Sequence, residues 1–156
     1  MQKHILALFL LFKVLLSSAQ DTDTLNLREL RPWGVSLNLL GPTLMASANV
    51  DYFISRNVSV ETGAGFFGAF VGGKVYIGKK QWKSMPYVGY TRAFVRLPTS
   101  EPVTEIFNYF PIGYHFVSKS GFNFSIEGAV LSDNPPGKFL GQLRFGQRFG
   151  KKRKNR

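Results

Sequence analysis

The residues able to do chemistry are few. Beyond His4, near the start of the chain, the sequence of 156 residues contains one histidine, His115, so any histidine-assisted hydrolysis must use it. Ser118 follows three positions later, and an odd separation on a regular strand turns two side chains to opposite faces. Pro111 is a candidate bulge site that would alter this parity. His115 is therefore expected to pack inside the fold or at an interface rather than catalyse. A single histidine without clustered carboxylates does not make a metal site. The absence of cysteine excludes a thiolate zinc site, an iron–sulfur cluster, a disulfide framework and a cysteine nucleophile. Gly63-x-Gly65-x-x-Gly68 matches the form of a dinucleotide fingerprint. It leads into another strand-like run, and positions 83–90 hold no acid for a ribose, so no cofactor is expected.

The charged residues are the other chemical resource, and their placement matters more than their sum. The chain carries 20 Lys+Arg against 9 Asp+Glu, a formal +11. Its first nineteen residues read as an export signal: basic Lys3, an apolar run from Ile5 to Leu16 interrupted by Lys13, then Ser17-Ser18-Ala19 with small residues before a cut. The run is too short to span a bilayer as a helix. Lys151-Lys152-Arg153-Lys154-Asn155-Arg156 forms a basic tail. With two cations in the signal and five in the tail, residues 20–150 keep 13 bases against the 9 acids, a net of +4. On an exported chain, nucleic acid is not the expected partner; lipid headgroups or cell-wall polymer suit the tail and the Lys79-Lys80-Gln81-Trp82-Lys83 turn better. Residues 20–32 read as a flexible polar lead.

What must position the remaining groups is a set of strands. Apolar and polar residues alternate with period two, clearest in Val58-Ser59-Val60-Glu61-Thr62-Gly63-Ala64-Gly65-Phe66, and no window has a helical period. Turn signals divide the chain into eight candidate strands, at 33–40, 43–53, 58–67, 69–77, 85–97, 104–117, 122–131 and 138–149. An even number of segments of this length fits an all-β, single, antiparallel, up-and-down transmembrane barrel over residues 33–150.

The two faces separate a membrane barrel from a soluble one. The polar face collects Asp51, Glu61, Lys74, Arg92, Arg96, Glu127, Arg144 and Arg148, with Gly63, Gly65, Gly72 and Gly146 among them. Glycines beside large residues suit a crowded lumen and serve no purpose on a solvent face. The opposite face, including Val35, Leu37, Leu39, Val60, Val71, Ile126, Leu143 and Phe145, is almost free of charge, as lipid requires. The inward charges are expected to pair across neighbouring strands and fill the lumen. A narrow anion-selective pore is the other reading of the same charges. Trp33, Tyr52, Trp82, Tyr87, Phe116 and Phe149 gather at one barrel end as an interfacial girdle, and Phe66, Phe67, Phe70, Phe107 and Phe139 form a looser band at the other.

With its export signal, strand number, alternation and aromatic close at Phe145 and Phe149, the chain resembles the small eight-stranded, porin-like outer-membrane barrels of Gram-negative bacteria. Val58-Ser59-Val60-Glu61-Thr62-Gly63 and Pro111-Ile112-Gly113-Tyr114-His115-Phe116 share in that resemblance. It implies an outer-membrane location, the lipid bilayer as surroundings and insertion by the barrel-assembly machinery through a terminal strand closing on Phe149. Gly150 and the basic tail depart from a strictly terminal aromatic. The expected function is structural or surface-interacting, as a monomer without enzyme activity. Barrels of this size that hydrolyse or transfer acyl chains of lipid A, and a soluble lipocalin-like ligand binder, are the alternatives.

Overall fold

The computed structural model describes residues 27–78, 83–97, 103–132 and 139–150. Its strands are β1 (Trp33–Leu40), β2 (Ala46–Ser55), β3 (Val58–Gly65), β4 (Gly68–Tyr76), β5 (Ser84–Leu97), β6 (Val103–Val117), β7 (Phe122–Leu131) and β8 (Phe139–Phe149). Each pairs antiparallel with the next, and β8 returns to β1, so the sheet is a closed barrel. Closure removes the unpaired edges that an open sheet of this length would expose.

The register sets the tilt. Trp33 pairs with Tyr52, Tyr52 with Val60, Val60 with Gly73 and Gly73 with Tyr90. The flanking pairs Val88–Ile112 and Thr91–Tyr109 set Tyr90 level with Phe110, from which the row continues to Val130 and Phe139. Trp33's own partner on β8 is Phe149, so the row returns ten residues further up that strand, at Phe139. A stagger of this size goes with a strand tilt of about 40° and a lumen that side chains can fill. Pro111, the candidate bulge site, lies inside β6 without shifting the register, so the parity of His115 and Ser118 stands.

Alternation then sorts the side chains. Leu37, Ile54, Val71, Ile112 and Ile126 point outward and are exposed, while Asn38, Ser59, Lys74 and Arg148 point inward and are buried. Several glycines make the crowded interior possible: a Cβ on Gly63 would stand 2.6 Å from the Phe70 ring, and one on Gly146 would stand 2.1 Å from Ser36 Oγ.

Two segments outside the strands differ from expectation. The lead is structured over α1 (Leu27–Leu30), a short helix whose Arg28 is buried beneath the barrel end where β1 begins and β8 finishes. We call this the terminal end. At the other, distal end, β2 starts at Ala46 rather than 43, because Leu40, Gly41 and Leu44 adopt positive φ and fold the β1–β2 turn inward. Gly41, Pro42 and Thr43 are buried there.

Candidate functional site

The lumen is the part of the molecule where chemically capable groups converge, and it has three layers. The middle layer is ionic. Glu61 on β3 accepts from Arg144 Nη1 of β8 at 2.7 Å and lies 3.3 Å from Lys74 Nζ of β4. Lys74 Nζ also donates to Glu127 Oε2 of β7 at 2.8 Å. Glu127 is held further by the hydroxyls of Tyr87, which donates to Oε2, and Tyr109, which donates to Oε1. Arg144 Nε donates to Asn38 Oδ1 at 2.9 Å. Together these contacts link β1, β3, β4, β5, β6, β7 and β8 across the barrel axis, with every charged member nearly inaccessible. Buried ions are tolerated only when paired and hydrogen-bonded, and this arrangement supplies both.

Nearer the terminal end, Arg148 Nη1 donates to Asp51 Oδ2 at 2.6 Å, and its other nitrogens donate to the Arg31 and Pro32 carbonyls at 2.9 and 2.7 Å. Phe53, Tyr76, Met85 and Tyr87 form an apolar and aromatic floor. Arg28 enters this floor from α1, with its guanidinium carbon 5.6 Å from the Tyr76 ring centroid and 5.9 Å from that of Phe53. Its Nη2 donates to the Lys83 and His115 carbonyls, each at 3.2 Å. Burial pushes the Arg28 guanidinium down to about 10, which still leaves it a cation at neutral pH. The distal layer is apolar, built from Phe70, Ala93, Val95, Phe107, Tyr109 and Ala129, with Leu44, Phe67, Leu131 and Leu140 packed against it.

Six of the eight expected lumenal charges therefore meet inside: Asp51, Glu61, Lys74, Glu127, Arg144 and Arg148. Arg92 and Arg96 do not; both are exposed on the outward face of β5, whose inward residues are Thr91, Ala93 and Val95. The correction has a clear physical cause. The six strand charges form three acids and three bases, and two further arginines would be unpaired in a layer made of apolar groups. The same parity carries Tyr87 into the lumen instead of the girdle, and Phe70 and Phe107 inward from the distal band. Trp33, Tyr52, Phe116 and Phe149 do point outward at the terminal end, where the Trp33 and Tyr52 rings lie 4.6 Å apart. Trp82, most of the basic turn, the export signal and the C-terminal tail lie outside the described residues.

His115 is buried, its ring 5.5 Å from that of Tyr76 and 6.2 Å from that of Phe53. Ser118 Oγ instead meets Ser120 Oγ at 2.7 Å in the β6–β7 turn. Ser125 pairs with His115 in register, but His115 Nδ1 and Ser125 Oγ have no hydrogen-bond partner among the described residues, so these two side chains are not hydrogen-bonded to each other. Among the described residues no group of His, Asp and Glu could hold a metal.

The comparisons bear on the fold. No family model matches the chain, and no curated protein matches it. Among solved structures, the N-terminal β-barrel domain of OprF from Pseudomonas aeruginosa superposes with a TM-score of 0.51 at 11% identity, over 75% of this chain and 95% of that one. The fold is that of a closed, eight-stranded antiparallel meander barrel. The barrel fold is thus shared with that OprF domain, at a sequence identity too low to carry function across.

Sequence reasoning missed Arg28 and Tyr109. Tyr109 was accessible by parity, since it lies an even number of residues from His115 on one strand. Arg28 gave no such signal, because a four-residue helix in a polar lead has no periodicity to read.

Proposed function

We propose that this chain is an outer-membrane barrel of structural or surface-interaction type, its terminal end facing the periplasm and its lumen closed to solutes. The observation that carries this reading is the pairing of an apolar exterior with an interior crossed by the Glu61–Arg144 and Lys74–Glu127 bridges. A soluble barrel would need the reverse, since exposed Leu37, Val71, Ile112, Phe139 and their neighbours cover the outside. A lipocalin-like binder also needs an open cavity, and the buried ion pairs, aromatic rings and apolar cluster on the inward face favour a filled lumen over that reading.

The reading includes monomeric insertion by the barrel-assembly machinery, with Phe149 closing β8 beside Trp33. It assigns no catalytic step to His115, which lies at the end away from the outer leaflet and lacks a poised nucleophile. The test is fractionation with gel mobility before and after heating. Recovery with outer membrane and a heat-modifiable band support the reading; a soluble periplasmic monomer overturns it. In planar bilayers the protein should give no discrete conductance steps, and regular steps would overturn the closed lumen. An unchanged lipid A mass profile between cells with and without the gene is expected. A difference abolished by His115→Ala would establish the acyl-hydrolase alternative instead.

A further inference from the structure

The two arginines that the lumen excludes occupy an informative level on the outside. On β5 the outward residues towards the distal end are, in order, Val88, Tyr90, Arg92, Phe94 and Arg96, the last three in its distal half. The strand begins at Ser84, paired with girdle residue Phe116. At about 40° of tilt each residue climbs about 2.5 Å along the barrel axis. Arg92 then stands roughly 20 Å, and Arg96 roughly 30 Å, above the girdle, so they bracket the upper edge of an apolar band about 25 Å tall. Arg92 has enough stem to snorkel to that edge. Among the described residues no carboxylate pairs with either guanidinium. Beside them on the lipid-facing surface, the Tyr90 hydroxyl donates to Asn108 Oδ1 at 2.8 Å and the Tyr90 ring packs 5.4 Å from Phe110. Two cations at headgroup level, above an aromatic pair at acyl-chain level, complement an amphiphile with a phosphate head.

We propose that Arg92 and Arg96 form a binding site for the phosphate of an anionic lipid headgroup in the leaflet at the distal end. Planar guanidinium donors suit phosphate oxygens. The site rests on the membrane reading above, and the two fail separately: a chain that does not insert sinks both, whereas an inserted barrel that ignores phosphate sinks only this one.

The test uses the full chain, extracted from membranes into zwitterionic detergent, with phosphatidic acid and a diacylglycerol of the same acyl chains as probes, and bound lipid counted by native mass spectrometry. Phosphatidic acid should be retained at least about tenfold better than diacylglycerol, and R92Q/R96Q should remove that preference while leaving diacylglycerol retention unchanged. The R92K/R96K variant should keep part of it, and K83Q/K119Q, which alters cations at the terminal end, should keep it all. If the glutamine double variant loses its heat-modifiable band, R92Q and R96Q read singly should each weaken retention. No preference for phosphatidic acid in the wild type, or a preference untouched by the arginine variants, overturns the proposal. Abolition of lipid retention by millimolar inorganic phosphate would show a free-anion site and also overturn it.

Discussion

Glu61 Oε2 lies 2.7 Å from Arg144 Nη1, so two strands five apart in the chain, β3 and β8, are joined through the middle of the barrel rather than around its wall. The same oxygen faces Lys74 Nζ at 3.3 Å, which makes Glu61 the shared anion of two buried cations. Its loss therefore leaves more uncompensated charge than the loss of any single cation in the network.

Glu61→Gln should be the most destabilising conservative change in this layer, by about 3–5 kcal/mol, because it leaves Arg144 and part of Lys74 unpaired in a dry interior. Lys74→Met should cost less, since Glu61 retains Arg144 and Glu127 retains the hydroxyls of Tyr87 and Tyr109. Urea unfolding in lipid vesicles, followed by tryptophan fluorescence, orders the two. The reverse order would show that Glu127, not Glu61, is the anchor.

That network also marks how far the sequence could be read. The strands were legible because alternation at Val58–Phe66 or Phe122–Val130 has one solution: one face apolar, the other polar. β5 was not, because its two faces are both mixed. Tyr87, Thr91, Ala93 and Val95 compete with Val88, Tyr90, Arg92, Phe94 and Arg96, and what separates them is the apolar distal layer, where no buried acid among the described residues stands ready to pair an inward arginine. Pairing of Glu61 with Arg144 needs the register of the whole barrel, which no local pattern contains. The inward fold of Leu40 to Leu44 depends on positive φ at two leucines, a conformation that leucine disfavours and sequence does not advertise.

The glycine at position 63 makes room for Phe70. A Cβ there would stand 2.6 Å from both the Phe70 ring and the Ala48 carbonyl oxygen. Gly63→Val should destabilise the barrel by about 1–3 kcal/mol through overpacking. Adding Phe70→Leu should recover only part of that loss, because the backbone oxygen stays where it is. Full recovery would assign the whole cost to the ring.

Arg28 fastens the body of α1 to the barrel, while Arg148 holds the Arg31 and Pro32 carbonyls that follow it. Arg28→Ala should release the helix while leaving β1 to β8 closed, since the residue's described hydrogen bonds go to the Lys83 and His115 carbonyls rather than to a ladder. Hydrogen exchange at the Arg31 amide, which donates to the Leu27 carbonyl at 3.0 Å, should lose its protection, with the heat-modifiable band retained. An Arg31 amide as protected as before would show that packing of Leu27 and Leu30 holds the helix without Arg28.

Leu37 tests what surrounds the barrel. It is 65% exposed near the middle of β1, between Ala48 and Phe145, and makes no contribution to the lumen. In water, Leu37→Arg would remove apolar surface and be neutral or favourable. In a bilayer it places a cation at mid-depth, where the cost is about 2–4 kcal/mol. Folding into phosphatidylcholine vesicles, scored by heat-modifiable mobility and urea midpoint, should fall by that amount. Ile106→Arg, on the exposed face of β6 ten residues above girdle residue Phe116 and so near the distal edge, should lose less, because snorkelling shortens the path to the headgroups. Equal tolerance at both positions would place this face in water and return the chain to a soluble barrel.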